Sequence, residues 1–211
     1  MLSLPNEIII IVAYFLEPKQ RTKLREVNMV LNKLLSNRQL WQDINNKFAR
    51  NRFQKMCEAG NLHSAQWLTK YFNLTQKDAR SDNNCALRWS CQNGHLEVAQ
   101  WITQYFNLIQ EDARSNDNYA LRWSCRYGHL EVAQWLTQYF NLTQEDARSD
   151  DNCALRYSCQ YGHLKVAQWL TQYFNLTQED ARSNNNYALQ LSRENGYTHI
   201  VDWLKNTFNI S

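Results

Sequence analysis

The sequence predicts an all-α protein that has a short N-terminal head followed by a long array of repeated helix pairs. The chain has 211 residues but only 5 glycines and 2 prolines, too few for the many turns of a sandwich or barrel. Its 8 tryptophans, 11 tyrosines and 8 phenylalanines supply a packed core. All the glycines recur at intervals of 34 residues: Gly60, Gly94, Gly128, Gly162 and Gly196. Such a strict period indicates a stack of repeated units.

Each unit is predicted to be a pair of amphipathic helices. In the stretch NCALRWSCQN, Ala86, Leu87, Ser90 and Cys91 form one apolar stripe at helical spacing. Gly94 then ends this helix, because glycine can adopt the positive φ of a helix C-terminus. The following HLEVAQWITQYF has a second apolar stripe. One pair cannot bury both stripes alone, so neighbouring pairs must stack into a solenoid.

The segment between units, LTQEDARS, has the spacing of an N-terminal capping box. Thr143 takes the cap position and Asp146 follows three residues later. We therefore expect a short helical turn here. With it, the array divides into five predicted repeats over residues 47–211, with bounds at about 47–78, 79–112, 113–146, 147–180 and 181–211.

The head, residues 1–46, has a different character. Residues 1–56 contain 10 basic and 4 acidic residues, a net charge of +6, whereas the remainder has a net charge of −3. The stretch SLPNEIIIIVAYFLEP predicts a helix that begins at Pro5 and ends before Pro18. No basic segment precedes it, which excludes a signal peptide, and its apolar run is about half of what a bilayer requires. We expect a soluble chain in the cytoplasm or also the nucleus.

That first helix is apolar on all sides and must therefore be buried on all sides. Ile8, Ile11, Val12 and Phe15 form one stripe, and Ile9, Ala13 and Leu16 form another. About 45 residues are too few to cover such a helix. A partner protein on its second face is the expected solution.

The repeats resemble the ankyrin-repeat family over residues 50–211. The stretch CALRWSCQNGHLEVA from Cys85 is similar to the family core TPLHxAAxxGHLEVV. Ala86, Ala120 and Ala154 stand where the family has proline, and Arg88, Arg122 and Arg156 stand where it has histidine. The family's glycine-containing hairpin is replaced by LTQEDARS. The resemblance implies that the solenoid binds a protein.

The head resembles the F-box, the three-helix motif that docks substrate receptors on the Skp-type adaptor of SCF ubiquitin ligases. The matching residues are LPNEIIIIVAYFLEP and QLWQDI, whereas Arg21 and Leu31 depart from the family pattern. The resemblance implies that ten residues contact the adaptor: Leu4, Pro5, Ile8, Ile9, Ala13, Leu16, Leu24, Val27, Leu40 and Trp41.

Differences among the repeats gather in the first helix and the loop before it, the places that line the concave recognition face in ankyrin proteins. We therefore expect the target to contact these positions in the second to fourth repeats. They are Asp82, Cys85, Arg88, Trp89, Gln92, Asn93, Asn116, Tyr119, Arg122, Trp123, Arg126, Tyr127, Asp150, Arg156, Tyr157, Gln160 and Tyr161. Tyrosine, tryptophan and arginine are the residues enriched at interface hot spots. Two other interpretations stay open for the Arg-aromatic pairs: packing between neighbouring first helices, and nucleic-acid stacking, which the acidic repeats disfavour.

No catalytic residues, metal site or cofactor are predicted. The six cysteines lack a C-x-x-C pair, and stacked helices lie farther apart than a disulfide allows. We expect buried, reduced thiols. His95, His129 and His163 belong to the GHLE or GHLK turn of the repeat, where a structural cap is expected.

These features predict a substrate-recognition adaptor rather than an enzyme. The head would dock on the Skp-type adaptor and the repeats would hold an unknown target. An N-terminal F-box before near-identical repeats also resembles effectors of giant viruses and intracellular bacteria that redirect host ubiquitination. The alternative is an ankyrin-type scaffold in which residues 1–46 only cap the solenoid. Either protein is expected to be a monomer that binds neither nucleic acid nor membranes.

Overall fold

The computed structural model describes the backbone of residues 38–211, with side chains from residue 47 onward. Within this part of the chain all regular structure is helical, without a strand. The predicted adaptor contacts before residue 38 lie outside the described residues: Leu4, Pro5, Ile8, Ile9, Ala13, Leu16, Leu24 and Val27. Leu40 and Trp41 lie in the first turn of a described helix, but their side chains are outside the description.

The helices follow the predicted period. They are α1 (Arg38–Glu58), α2 (Leu62–Tyr71), α3 (Gln76–Ala79), α4 (Ser81–Gln92), α5 (Leu96–Tyr105), α6 (Gln110–Ala113), α7 (Ser115–Arg126), α8 (Leu130–Phe140), α9 (Gln144–Gln160), α10 (Leu164–Tyr173), α11 (Gln178–Ala181), α12 (Ser183–Glu194) and α13 (Thr198–Phe208).

Residues Ala49–Ser211 form one compact unit, and its core runs through the stacked repeats. The first helices of successive repeats pack on one another, so that α7 lies between α4 and α9, and α9 lies between α7 and α12. In each of the last four repeats the first helix also packs on the second helix of its own repeat. The same two positions of each of the last four repeats are almost fully buried: Leu87, Leu121, Leu155 and Leu189 of the first helices, and Ile102, Leu136, Leu170 and Leu204 of the second. The predicted helical solenoid is confirmed for the repeats.

The glycines end the first helices as predicted. Gly94 has a φ of +76°, and its N–H donates to the carbonyl of Cys91 while the next N–H, of His95, donates to Ser90. This pair of bonds is the Schellman motif, which satisfies the last carbonyls of the helix. The second helix ends at asparagine instead, and Asn141 has a φ of +49°.

The predicted helical turn between units is also confirmed. In α9 the Thr143 N–H donates to the Asp146 carboxylate at 2.8 Å, which completes the capping box. The same carboxylate receives both nitrogens of an Arg114 fork from the preceding repeat, each at 2.9 Å. Arg80 with Asp112 and Arg148 with Asp180 repeat this pairing. One buried aspartate thus caps its own turn and connects two repeats.

All six cysteines are free and buried, as the sequence predicts: Cys57, Cys85, Cys91, Cys125, Cys153 and Cys159. Burial raises the pKa of the Cys159 thiol to about 12, so this side chain is a neutral core thiol. The four cysteines that recur at 34-residue spacing are fully enclosed in the first helices.

Candidate functional site

The predicted target-contact residues lie on the first helices and preceding loops of the second to fourth repeats, but three of them have little exposed surface. Cys85 is 2% exposed, Arg156 is 8% and Arg122 is 9%. A side chain this enclosed offers almost nothing to a partner. The prediction that these three contact a target directly therefore conflicts with their placement, and the two arginines have a structural task instead.

The two arginines support a left-handed turn that was not predicted from the sequence. A kink lies inside the bounds of α4, α7, α9 and α12, where three consecutive residues have positive φ and left-handed ψ. They are Asp82, Asn83 and Asn84; Asn116, Asp117 and Asn118; Asp150, Asp151 and Asn152; and Asn184, Asn185 and Asn186. A left-handed residue other than glycine costs about 1–2 kcal/mol, least for asparagine and aspartate. The turn therefore needs support from its surroundings.

The arginine of each first helix supplies this support. Arg122 Nε donates to the Asp117 carbonyl at 2.6 Å, and its Nη2 donates to the Asn116 carbonyl at 3.1 Å. Arg88 and Arg156 make the same pair of bonds in their own repeats. In the last repeat Gln190 takes the place of arginine and makes one such bond, to Asn185. These side chains hold the left-handed turn from which the regular part of each first helix continues.

Arg122 also links two repeats. Its Nη1 donates to the carboxylate of Asp150 and lies 3.7 Å from the Cys153 sulfur. Asp150 itself is exposed, as are Asp82 and Asn116 at the equivalent positions. Asp82 accepts a hydrogen bond from Gln54 of the preceding repeat. The loop positions predicted to contact a target are therefore accessible, although two of them already contact a neighbouring repeat.

Arg126 is the centre of the most developed surface feature on the first helices. Its guanidinium carbon lies 4.4 Å from the ring centre of Trp123, 4.6 Å from Tyr161, 5.0 Å from Tyr157 and 5.8 Å from Tyr127. These distances are within the range of a cation–π interaction. We call these five residues the Arg126 cluster. Three come from the end of α7 and two from the end of α9, so the solenoid assembles the cluster from two repeats.

A stack of side chains extends the cluster into the second repeat. The rings of Trp123 and Tyr119 stack with centres 5.0 Å apart, and Arg88 lies 4.6 Å over the other end of the stack at Tyr119. The Tyr119 hydroxyl donates to Gln92 Oε1 at 2.6 Å. The predicted residues Arg88, Gln92, Tyr119 and Trp123 are thus brought together. The predicted residues Trp89 and Gln160 are half-buried. The side chain of Asn93 donates a hydrogen bond to the Glu58 carbonyl of the preceding repeat.

The Arg126 cluster is accessible and carries one charge. Tyr127 is 44% exposed, and the other members are half-buried. Burial raises the pKa of Tyr157 above its usual value, and it does the same for Tyr119 in the adjoining stack. Their hydroxyls therefore stay protonated, and Arg126 supplies the positive charge. Aromatic rings around one arginine form the kind of surface that interface hot spots use.

A second exposed aromatic surface, missed by the sequence analysis, lies on the second helices. In the first four repeats a tyrosine follows the tryptophan of the second helix by one helical turn, and Trp67 stacks on Tyr71 with ring centres 4.9 Å apart. The period of 34 could have shown this row, because the exposed members recur with it: Tyr71, Tyr105, Tyr139 and Tyr173. Within residues 47–211 this row has no cation–π centre comparable to Arg126.

Residues 47–211 contain no group of His, Cys, Asp and Glu side chains arranged to hold a metal ion. Among the described helices none is long and apolar enough to cross a membrane.

Comparison with known proteins supports the class of the repeats. Residues 105–180 match a family model described as ankyrin repeats, in three copies. No curated protein matches the chain. The ankyrin part of the sequence resemblance is confirmed over this range, which includes the whole Arg126 cluster. The ankyrin repeats indicate a protein-binding scaffold, a fold that is not typically enzymatic.

Proposed function

We propose that this protein is a substrate-recognition adaptor of an SCF ubiquitin ligase. In this proposal residues 1–46 dock on the Skp-type adaptor and residues 47–211 bind a target protein. The target would then be ubiquitinated because tethering raises the effective concentration of its lysines near the ligase. The chain needs no catalytic residues for this role.

The Arg126 cluster is the observation that carries the target-binding half of the proposal. Four rings and a guanidinium from two repeats meet on the first-helix face, and Tyr127 at their edge is 44% exposed. The left-handed turns and the Arg–Asp pairs hold the underlying helices in register. A rigid support of this kind lowers the entropy that an interface loses on binding.

The docking half rests on sequence. The opening LPNEIIIIVAYFL and the Leu40–Trp41 pair resemble the F-box at both ends of its length. The net charge of +6 over residues 1–56 would speed association with an acidic adaptor surface. The proposed contacts remain those implied by the resemblance, from Leu4 to Trp41. By the same resemblance to pathogen effectors, we propose that the protein acts on host ubiquitination in the cytoplasm or nucleus of a host cell.

A plain ankyrin scaffold is the second candidate. The confirmed repeats favour it because they suffice for binding a protein without any ligase. The head would then serve only to cap the first repeat. The two candidates differ in a single property, which is binding to the Skp-type adaptor.

A pull-down with purified components separates them. The intact chain is immobilised and incubated with the Skp-type adaptor, beside a control chain carrying Ile9→Asp and Leu16→Asp. Adaptor retained by the intact chain and lost by the control supports the ligase role, provided that circular dichroism shows both chains folded. A folded intact chain that retains no adaptor rejects this role and leaves the scaffold.

A further inference from the structure

Arg126 has donor capacity that the protein leaves unused. Its Nη2 donates to the Tyr161 hydroxyl, whereas its Nε is buried without a partner and its Nη1 makes no hydrogen bond within the described chain. Other arginines of the repeats differ: Arg122 donates to two carbonyls and a carboxylate, and Arg114 donates to a carboxylate through two nitrogens. A partly enclosed guanidinium with open donors is stabilised by an acceptor from outside.

The surroundings of Arg126 leave its charge without a counterion. Its position recurs in each repeat as Glu58, Gln92, Arg126, Gln160 and Glu194, so the cation has neutral neighbours on both sides. On its own helix the nearest carboxylate is that of Asp117 in the left-handed turn, nine residues before Arg126, and Glu131 follows five residues after Arg126 in α8. Asp150 of the next repeat is paired with Arg122. No ion pair to Arg126 occurs within residues 47–211.

The ring faces restrict the ligand in a second way. Four aromatic rings already lie within 6 Å of the guanidinium carbon, so their faces are occupied by a cation. A cationic ligand would compete with Arg126 and be repelled by it. A carboxylate would instead accept hydrogen bonds from the open donors of the guanidinium. The methylene groups of the aspartate or glutamate side chain would then pack on the exposed ring of Tyr127.

We propose that the Arg126 cluster recognises an acidic peptide segment, in which an aspartate or glutamate carboxylate accepts hydrogen bonds from Arg126 and from a neighbouring tyrosine hydroxyl. This inference rests on the proposed function, in that the segment would belong to the target that the repeats hold. A nucleic acid is disfavoured because binding a run of phosphates requires several cations, whereas Arg126 is the single cation of the cluster.

The probe is an octaglutamate peptide, with the neutral octaglutamine peptide of the same length as its control. The indole N–H signal of Trp123 in the full chain reports binding by heteronuclear NMR, assigned by comparison with Trp123→Phe. Arg126→Met removes the charge but keeps a long side chain on the rings, and Lys165→Met removes one exposed charge from a second helix. Arg126→Lys keeps the charge and loses the planar fork.

Saturable shifts with octaglutamate and not with octaglutamine are expected. Arg126→Met should raise the dissociation constant about tenfold or more, since a charged hydrogen bond is lost, whereas Lys165→Met should leave it unchanged. Arg126→Lys should fall between the wild type and Arg126→Met. Equal shifts with the two peptides, or equal weakening by the two methionine variants, would overturn the proposal. So would a shift with octathymidylate DNA and none with octaglutamate.

Two readouts keep this test independent of folding and of the ligase role. If circular dichroism shows that Arg126→Met does not fold, the wild-type chain still tests the proposal. The test is then the difference between its shifts with octaglutamate and with octaglutamine. Binding of the Skp-type adaptor should be the same for the wild type and Arg126→Met. If the chain binds the adaptor but does not bind octaglutamate, the acidic-peptide proposal is rejected and the ligase role is kept.

Discussion

The imidazole of His129 lies directly over Gly94 of the preceding repeat. A Cβ built on this glycine would be 2.6 Å from the His129 Nδ1 atom, closer than two unbonded heavy atoms approach. Gly60 under His95 and Gly128 under His163 have the same relationship. The histidine therefore packs on the neighbouring repeat, and it makes no side-chain capping bond to its own helix. The structural role expected for these histidines is packing between repeats rather than capping.

Gly94→Ala should destabilise the protein more than the same change at Gly196. Both glycines have positive φ, +76° and +75°, so each alanine carries a backbone cost of about 1–2 kcal/mol. Only the Gly94 position adds the clash with His129, because nothing lies within 4 Å of a Cβ at Gly196. Urea unfolding measures the difference, and equal costs for both alanines would contradict the packing role.

Acidification should weaken the repeats through His129 and His163. Burial lowers the pKa of His129 and of His163 below the usual 6.5, although a backbone hydrogen bond to Gln92 or Arg126 opposes the shift. The unfolded chain therefore binds protons before the folded chain does as the pH falls. The free energy of unfolding should be unaffected above about pH 7 and should fall below about pH 6.5.

Tyrosine provides the matched control for this prediction. Tyr197 stands in the place of histidine over Gly162 of the preceding repeat, so the fold accepts this ring. The double variant His129→Tyr and His163→Tyr should lose less stability than the wild type between about pH 7.5 and pH 5.5. Urea midpoints at both pH values test it, and an identical loss in the two chains would assign the effect to other groups.

Arg114→Met should cost about 1–2 kcal/mol of stability, because it leaves the buried Asp146 carboxylate without its fork. Burial alone would raise the pKa of Asp146, but Arg114 and the Thr143 N–H hold it below its usual value. Arg182→Met is the control, since Arg182 is exposed at the equivalent place of the last repeat and makes no ion pair within residues 47–211. If both changes lower the thermal unfolding midpoint equally, the Arg114–Asp146 pair does not stabilise the contact between repeats.

Substitutions at Asp117 distinguish backbone strain in the left-handed turn from the loss of side-chain contacts. Its φ is +55° and its exposed side chain makes no hydrogen bond within the described residues, whereas its carbonyl accepts from Arg122. Asp117→Gly should be neutral or slightly stabilising, and Asp117→Val should cost about 2 kcal/mol, because a β-branched residue disfavours this conformation. Chemical unfolding of the two variants provides the comparison. A valine variant as stable as the wild type would show that the turn can change its conformation.

Most of the fold could be predicted from the 34-residue period of the sequence. The spacing of the glycines predicted the end of each first helix, and Thr143 with Asp146 predicted the capped turn. The left-handed turn was missed although runs such as DNN and NDN mark residues that tolerate positive φ. One such residue is common, but three in succession depend on an arginine further along the helix, which no local pattern indicates.

The sequence predicted which helices carry the Arg126 cluster, but not the separate roles of their arginines. The sequence predicts target contacts on the first helices, and the structure brings Arg126, Tyr157 and Tyr161 together there, whereas their contact with a target stays a prediction. It could not separate Arg126 from Arg122, because both are arginines on the same helix four residues apart. Their different roles come from burial and from carbonyl acceptors, which only the folded repeat defines.

Calorimetric titration of the purified Skp-type adaptor into the intact chain tests the central claim most directly. The account predicts saturation at one adaptor per chain, unchanged by Arg126→Met and abolished by Ile9→Asp with Leu16→Asp. Absence of binding heat at several temperatures, with a chain that is folded by circular dichroism, would contradict it and leave a protein-binding scaffold of ankyrin repeats.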